Sequence, residues 1–167
     1  MANVPDTSPQ EKAATLRTLH VAGDPLVLPN AWDAASARMV ETAGFPVVAT
    51  SSFATAAILG YADGEAAPVE EVLAAAARIV RAVSVPVTVD FERGYGLAPA
   101  ELVERFAATG AVGLNLEDST PATGDDRPRR ASGPRVSFGA TLQLHLYNQL
   151  GSTLLSAVAA GENPFAS

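Results

Sequence analysis

Short apolar runs alternate with helix-type segments along the first two thirds of the chain. Four runs are short, apolar and flanked by turn residues, as buried strands are, and they lie at residues 26–29, 47–51, 86–90 and 112–116. Caps and stop signals predict helices at residues 9–19, from Asp33 to Gly44, at 68–82 and at 99–109. Strands that alternate with helices in this way indicate βαβ units and a parallel sheet.

The last third of the chain breaks this alternation. Residues 118–134 combine charges with turn-forming residues and show no apolar period, whereas residues 135–138 are compatible with one more strand. A closing helix is predicted over residues 140–160, where apolar side chains recur every four residues, at Leu142, Leu146, Leu150, Leu154 and Val158. Further leucines beside this stripe need cover on more than one side. We therefore expect a homo-oligomer in which this helix packs on a neighbouring chain.

Composition and charge restrict the class of protein. The chain has 167 residues, 48% of them hydrophobic, which corresponds to about one domain with a substantial core. It contains neither a membrane-spanning apolar run nor a signal-like start, so we expect a cytoplasmic protein with no membrane partner. The absence of cysteine excludes disulfides and thiolate metal sites. A net charge of −7, with a basic cluster only between Arg127 and Arg135, argues against nucleic acid.

Polar side chains gather where the predicted strands end. Asn30 follows the first strand, Ser51 and Ser52 the second, Asp90 and Glu92 the third, and Asn115, Glu117 and Asp118 the fourth. Functional groups of parallel α/β proteins collect at the carboxyl ends of the strands, so several carboxylates are expected on one rim. Mg²⁺ would offset their repulsion and favours such oxygen ligands. A salt-bridge network, for example Glu92 with Arg93, accounts for the spacing equally well, and both interpretations stay open.

Two other features are ambiguous when each is taken alone. Asp63-Gly64 is more often a plain turn than an acid or base. Trp32 is more often a packing residue than a ligand contact.

Taken together, the motifs resemble the isocitrate lyase/phosphoenolpyruvate mutase family. The resemblance is carried by residues 28–38 (LPNAWDAASAR), 49–52 (ATSS), 60–65 (GYADGE), 89–96 (VDFERGYG) and 113–119 (GLNLEDS). It runs in register from residue 11 to residue 124, and resumes at residues 135–139 (RVSFG) and 161–165 (GENPF). The combination in this order is far more specific than any one motif.

The resemblance implies an α/β fold built from the parallel βα units of a (β/α)8 TIM-type barrel. It also implies that the barrel binds Mg²⁺ together with a small 2-oxo acid or its enolate. On that pattern Asp90 would be the principal Mg²⁺ ligand and would lie against the substrate. Glu92 and Glu117 would hold the metal through water, although Glu92 stands where many members carry Asp.

The same resemblance implies a set of substrate contacts. Backbone amides at Ser52 and Phe53, next to Ser51, would hold the substrate carboxylate or enolate oxygen. Trp32 would flank it, and Asp63 would match the loop carboxylate that serves as an acid or base.

The sequence departs from the family pattern in two respects. Residues 119–124 (STPATG) replace the Lys-Cys-Gly-His segment of the lyases, so cleavage of isocitrate or methylisocitrate is not expected. A complete barrel takes about 200–250 residues, so strands five to seven are expected to be missing.

We divide one domain into a leading helix (1–22), four βα units (23–124), a junction (125–134) and a closing strand and helix (135–167).

The expected function is therefore that of a Mg²⁺-dependent lyase- or hydrolase-type enzyme. It would act on a carbon–carbon or carbon–phosphorus bond of a small 2-oxo acid. The alternative is a non-catalytic, shortened remnant that serves as an oligomerising or binding module.

Overall fold

The computed structural model of the protein describes residues 7–117 and, for the backbone alone, residues 142–145. The strands are β1 (Asn30–Ala31), β2 (Val48–Thr50), β3 (Val87–Asp90), β4 (Gly113–Leu116) and β5 (Leu142–His145). The helices are α1 (Pro9–Leu19), α2 (Ala34–Thr42), α3 (Ser52–Leu59), α4 (Val69–Ala82) and α5 (Pro99–Ala107). Within those ranges, no helix has the length and apolarity needed to cross a membrane.

The strands form one sheet in the order β1-β2-β3-β4-β5. Strands β1 to β4 run parallel to their neighbours, as the alternating pattern predicts, while β5 is antiparallel to β4. The carboxyl ends of β1 to β4 therefore share one edge of the fold, and their amino ends share the opposite edge.

Local capping explains why the first two helices begin where the sequence predicts. The Ser8 hydroxyl accepts a hydrogen bond from the Glu11 amide, and the Glu11 carboxylate accepts one from the Ser8 amide. Asp33 and Ser36 form the same reciprocal cap at the start of α2. Such caps satisfy amides that have no partner inside the helix, so they mark helix starts through local chemistry.

The main core lies between the sheet and helices α4 and α5. It includes Val89 and Leu114 from the strands and Phe106 from α5, all at most 2% exposed. The opposite face of the sheet is closed near its amino end by α1, where Leu16 is fully buried. A Cβ on Gly113 would lie 2.8 Å from Leu16 Cδ2, so this close approach of helix and strand requires glycine.

Two elements of the first βα units differ from the sequence prediction. The predicted strand at residues 26–29 is wrong, because the strand that pairs with β2 is Asn30–Ala31. Residues 52–59, predicted as loop, form α3. This helix is short and Ala-rich and carries no clear apolar stripe, so its sequence lacks the period that marks an amphipathic helix.

The predicted closing helix over residues 140–160 is also wrong where the structure describes it. Leu142–His145 is a strand that pairs antiparallel with β4, Leu116 opposite Leu142 and Gly113 opposite His145. The local sequence, Leu-Gln-Leu-His, alternates apolar and polar residues with the period of a strand, a signal that the four-residue spacing of leucines obscured. The remainder of that helix, the junction at 125–134 and the strand at 135–138 lie outside the described residues.

Candidate active site at the carboxyl ends of the strands

Asp90, the last residue of β3, is held at the rim by donors from α3 and its own loop and by an acceptor from β2. Its Oδ2 accepts hydrogen bonds from the Ser52 amide at 3.1 Å and from the Ser52 hydroxyl at 2.8 Å. Its Oδ1 accepts one from the Glu92 amide at 3.3 Å, and its own amide donates to Thr50 Oγ1 at 3.0 Å. The carboxylate thus faces the N-terminus of α3, where the helix dipole favours negative charge.

The start of α3 brings further predicted residues to the same place. The Ser51 side chain caps the helix by accepting a hydrogen bond from the Ala54 amide. The Phe53 amide therefore lies between the Ser52 amide, which bonds to Asp90, and the Ala54 amide, which bonds to Ser51. The Phe53 side chain is 67% exposed. Trp32, which follows β1 on the neighbouring strand, is 41% exposed. Ser51, Ser52, Phe53 and Trp32 therefore share the rim with Asp90, with two aromatic side chains open to solvent.

Glu92 is buried just beyond β3, with only 4% of the residue exposed. Burial raises its pKa above the ordinary glutamate value, and the charges of Asp63 and Glu65 add to the rise. The hydrogen bond from the Tyr95 hydroxyl, at 2.8 Å, opposes this rise in the pKa. The loop that carries Asp63 reaches this region through Glu65, which bonds to the Arg93 and Tyr95 amides, while Asp63 itself is exposed.

Glu65 is a site residue that sequence reasoning missed. Its Oε1 accepts hydrogen bonds from the backbone amides of Arg93, at 3.1 Å, and Tyr95, at 2.7 Å. Its Oε2 forms a salt bridge of 3.1 Å with the Arg93 guanidinium. The suggested pairing of Glu92 with Arg93 is therefore wrong, because the arginine is engaged with Glu65. The only hint in the sequence was that Glu65 ends the GYADGE motif beside Asp63.

Strand β4 adds an amide and a carboxylate to the rim. Asn115 pairs with Asp90 across the parallel strands, and its Oδ1 is buried without a hydrogen-bond partner. The Glu117 amide donates to the Glu92 carbonyl at 2.7 Å, which places Glu117 at the same end of the sheet as Asp90, with an exposed side chain. Residues 7–117 nevertheless contain no group of three or more His, Cys, Asp or Glu side chains that could hold a metal ion.

These residues fit Mg²⁺ in one particular way. The available donors are carboxylate and amide oxygens, and the unpartnered Oδ1 of Asn115 is an acceptor that calls for a water or another donor. Mg²⁺ keeps several waters and needs only one or two direct carboxylates. The arrangement therefore suits an ion bound by Asp90 and held otherwise through water, and it does not suit a cage of three protein carboxylates.

Comparisons with known proteins agree on a single family. The family model for phosphoenolpyruvate phosphomutase matches residues 16–150. An oxaloacetate decarboxylase of Rhodopseudomonas palustris (strain TIE-1) is 34% identical over 129 residues, which cover 74% of this chain and 44% of the decarboxylase.

Two solved structures extend this agreement to the fold. A protein from Burkholderia cenocepacia J2315, described as a candidate phosphonomutase, matches with 46% identity and a TM-score of 0.65, over 72% of this chain and 48% of its own. Oxaloacetate acetylhydrolase in complex with 3,3-difluorooxalacetate matches with 29% identity and a TM-score of 0.57, over 67% of this chain and 40% of its own. The chain thus spans less than half the length of these relatives.

Proposed function

The chain belongs to the phosphoenolpyruvate phosphomutase family, and from that premise we propose that its rim binds Mg²⁺ with a small 2-oxo acid or its enolate. The proposed activity is that of a lyase- or hydrolase-type enzyme acting on a bond next to the keto group. Decarboxylation or hydrolysis of an oxaloacetate-like acid is favoured, since relatives that carry those names match this chain.

The observation that carries the proposal is the anchoring of Asp90 by α3. A carboxylate offers about four lone-pair sites, two on each oxygen. The Ser52 amide and hydroxyl occupy both sites of Oδ2 and the Glu92 amide occupies one site of Oδ1, so one site on Oδ1 remains for a cation. A carboxylate held in this way is ready to bind a cation without further rearrangement. When bound there, Mg²⁺ would supply electrostatic stabilisation of negative charge that develops on the substrate oxygen.

The remaining roles fall to neighbouring groups of this chain. The Phe53 amide would bind the substrate carboxylate at the positive end of α3, and Trp32 would cover one side of the bound acid. Glu92 and Glu117 would orient the waters around the cation. Asp63, exposed on the loop near Glu92, would hold or deliver the proton exchanged at the substrate carbon.

Calorimetric titration with Mg²⁺ and oxalate, an enolate analogue, tests this proposal. We expect the parent to bind, and Asp90→Asn to weaken Mg²⁺ binding at least about tenfold, since the variant loses the charge that faces the ion. Glu104→Gln, an exposed carboxylate on α5, is the matched control and should bind as the parent does. A parent that does not bind, or an Asp90→Asn variant with the affinity of the parent, would overturn the proposal.

A non-catalytic binding module is the second candidate. The alignment covers 44% of the decarboxylase, so the activity of that enzyme does not pass to this chain by similarity alone. Turnover of oxaloacetate distinguishes the candidates, read as pyruvate and CO2 for decarboxylation or as oxalate and acetate for hydrolysis. The enzyme should show turnover that Asp90→Asn abolishes, whereas the module should bind Mg²⁺ and oxalate without turnover.

Self-association is the corresponding proposal for partners. In the described sheet β1 is an edge strand of two residues, and large apolar side chains nearby, Val27, Trp32 and Phe53, are 65%, 41% and 67% exposed. Because so short an edge strand pairs poorly, the support comes from the exposed apolar side chains, which favour burial against another chain. Sedimentation should show a dimer or larger species, and a folded monomer at every concentration tested would contradict it.

A further inference from the structure

Two loops at the rim are joined through the Glu65 side chain, and Arg93 adds a bond to the Gly64 carbonyl at 3.4 Å. Residues 60–68 connect α3 to α4 and carry Asp63, while residues 91–98 connect β3 to α5 and carry Glu92. The Glu65 carboxylate crosses from the first loop to the second, where it accepts hydrogen bonds from the Arg93 amide, the Tyr95 amide and the Arg93 guanidinium. We call Glu65 with these two partners the Glu65 clamp.

The bonds of the clamp are shielded from water. The side chains of Glu65 and Arg93 are only 18% and 22% exposed, so water competes weakly for these bonds. Beside the clamp, the Tyr95 hydroxyl donates a hydrogen bond to the Glu92 carboxylate at 2.8 Å. The bonds to Glu65 have a charged acceptor, and such bonds are stronger than neutral ones.

Backbone strain is concentrated at the same contact. Glu65, Glu92 and Tyr95 adopt φ values of +64°, +48° and +55°, in the left-handed region that favours glycine. Within the described part of the chain, these are the non-glycine residues with positive φ. Strain of this kind persists only where surrounding contacts over-determine the conformation, and it tends to cluster at functional sites.

We infer that Glu65 is a positioning residue that holds the Asp63 loop over the rim formed by Asp90 and Glu92. Gly64 alone separates Asp63 from Glu65, so fixing the Glu65 carboxylate fixes where Asp63 lies relative to the substrate-binding groups. Glu65 itself acts through Asp63 and Glu92 and does not touch the substrate. This inference rests on the proposed function for its catalytic consequence but not for its structural content.

Hydrogen exchange read by mass spectrometry tests the clamp without ligand or turnover. In Glu65→Ala we expect the amides of residues 91–98 to exchange about ten- to a hundredfold faster, because two of them lose a charged acceptor. Glu71→Ala is the matched control: Glu71 accepts a hydrogen bond from Tyr61 and lies in the same region, but it has no bond to residues 91–98. Unchanged exchange in Glu65→Ala, or equal acceleration in Glu71→Ala, would overturn the inference.

A third variant separates the two parts of the clamp. Arg93→Ala removes the salt bridge and the bond to the Gly64 carbonyl but leaves both backbone amides bound to Glu65, so we expect a smaller acceleration than in Glu65→Ala. If Arg93→Ala instead matches Glu65→Ala, the guanidinium rather than the pair of amides holds the loop, and the geometry of the clamp is wrong.

A double-mutant cycle tests the catalytic consequence. Glu65→Ala should lower kcat for oxaloacetate about tenfold or more and leave Mg²⁺ and oxalate affinity within about threefold, since Asp90 is anchored by Ser52. In an Asp63→Asn background the same change should have little further effect on kcat, because the residue it positions is already disabled. Full additivity would show that Glu65 does not act through Asp63. A parent without turnover would refute the enzyme proposal, while the exchange measurement still decides the clamp.

Discussion

The two ends of the sheet each hold a carboxylate, and they do so in opposite ways: Glu41 is partly buried and Glu92 is buried. At the amino end, Glu41 of α2 accepts hydrogen bonds from the Ser84 and Val85 amides and from the Ser84 hydroxyl. Burial alone would raise its pKa, but these donors outweigh burial and hold the pKa below its usual range. At the carboxyl end, burial of Glu92 prevails over its donors and raises the pKa.

The backbone shows the same contrast. The positive φ values of Glu65, Glu92 and Tyr95 all lie at the carboxyl end. The amino end instead has close packing of α1 against β4 around Leu16 and Gly113. In parallel α/β folds the amino end generally serves stability and the carboxyl end serves binding. The difference is compatible with the proposed function, in which a bound cation would offset the cost of charge on the buried Glu92.

The largest effect on stability is expected from Leu16→Ala at the amino end. Leu16 is fully buried against β4, and truncation leaves a cavity in close-packed surroundings, so unfolding free energy should fall by about 2–5 kcal/mol. Urea unfolding at neutral pH measures this loss. Met39→Ala, on a side chain that is 72% exposed, should change stability by less than about 0.5 kcal/mol. Equal losses of unfolding free energy in both variants would contradict the structural role proposed for the amino end.

An intermediate effect is expected from Glu41→Gln. The variant keeps one acceptor but loses the charge that its donors face, which should cost about 1–2 kcal/mol near neutral pH. Because the folded-state pKa of Glu41 is lowered, its contribution is present above the ordinary value of 4.5 and is lost as pH falls through the folded-state pKa. The difference in unfolding free energy between parent and variant should therefore shrink in acid. A difference that is constant with pH would contradict this assignment.

The smallest effect, and one of opposite sign, is expected from Glu92→Gln. The folded-state pKa of Glu92 is raised, so its contribution to stability is fully present below 4.5 and is lost as pH rises through the folded-state pKa. With a chelator present, the parent should lose stability relative to Glu92→Gln as pH rises from about 4 to about 7. If the parent instead gains stability relative to Glu92→Gln as pH rises, as expected for Glu41→Gln, the two ends do not differ as proposed.

Much of the fold follows from local signals that a reader of the sequence can recognise. Helix α1 spans the predicted residues because Ser8, Pro9 and Glu11 form its start without help from the rest of the chain. Helix α3 has no comparable apolar period, and Ser52 at its first turn is tied to Asp90, which lies 38 residues away. The cap at Ser51 and the end at Gly60 are local signals, but without an apolar period they do not distinguish this helix from a loop.

The candidate site likewise combines features that the sequence predicts with features that depend on the folded chain. Because parallel strands bring their carboxyl ends to one edge, the strand order alone places Ser52, Asp90 and Glu117 on one rim. The partners of the charged groups did not follow from strand order. Arg93 lies beside Glu92 in the sequence and yet pairs with Glu65, since the left-handed turns of the two loops direct the Glu65 carboxylate toward the Arg93 and Tyr95 amides.

By itself the sequence determined the βα order, the helix starts, the edge of the sheet that carries the polar groups, and the family. These properties depend on caps, turns and periodic patterns that act over a few residues. Only the tertiary structure decided the direction of β5, the existence of α3, the opposite pKa shifts of Glu41 and Glu92, and the Glu65 clamp. Each of these depends on which donors or strands meet across long stretches of chain, such as the 28 residues between Glu65 and Arg93. Burial and hydrogen bonding at such a meeting point arise only when the chain has folded.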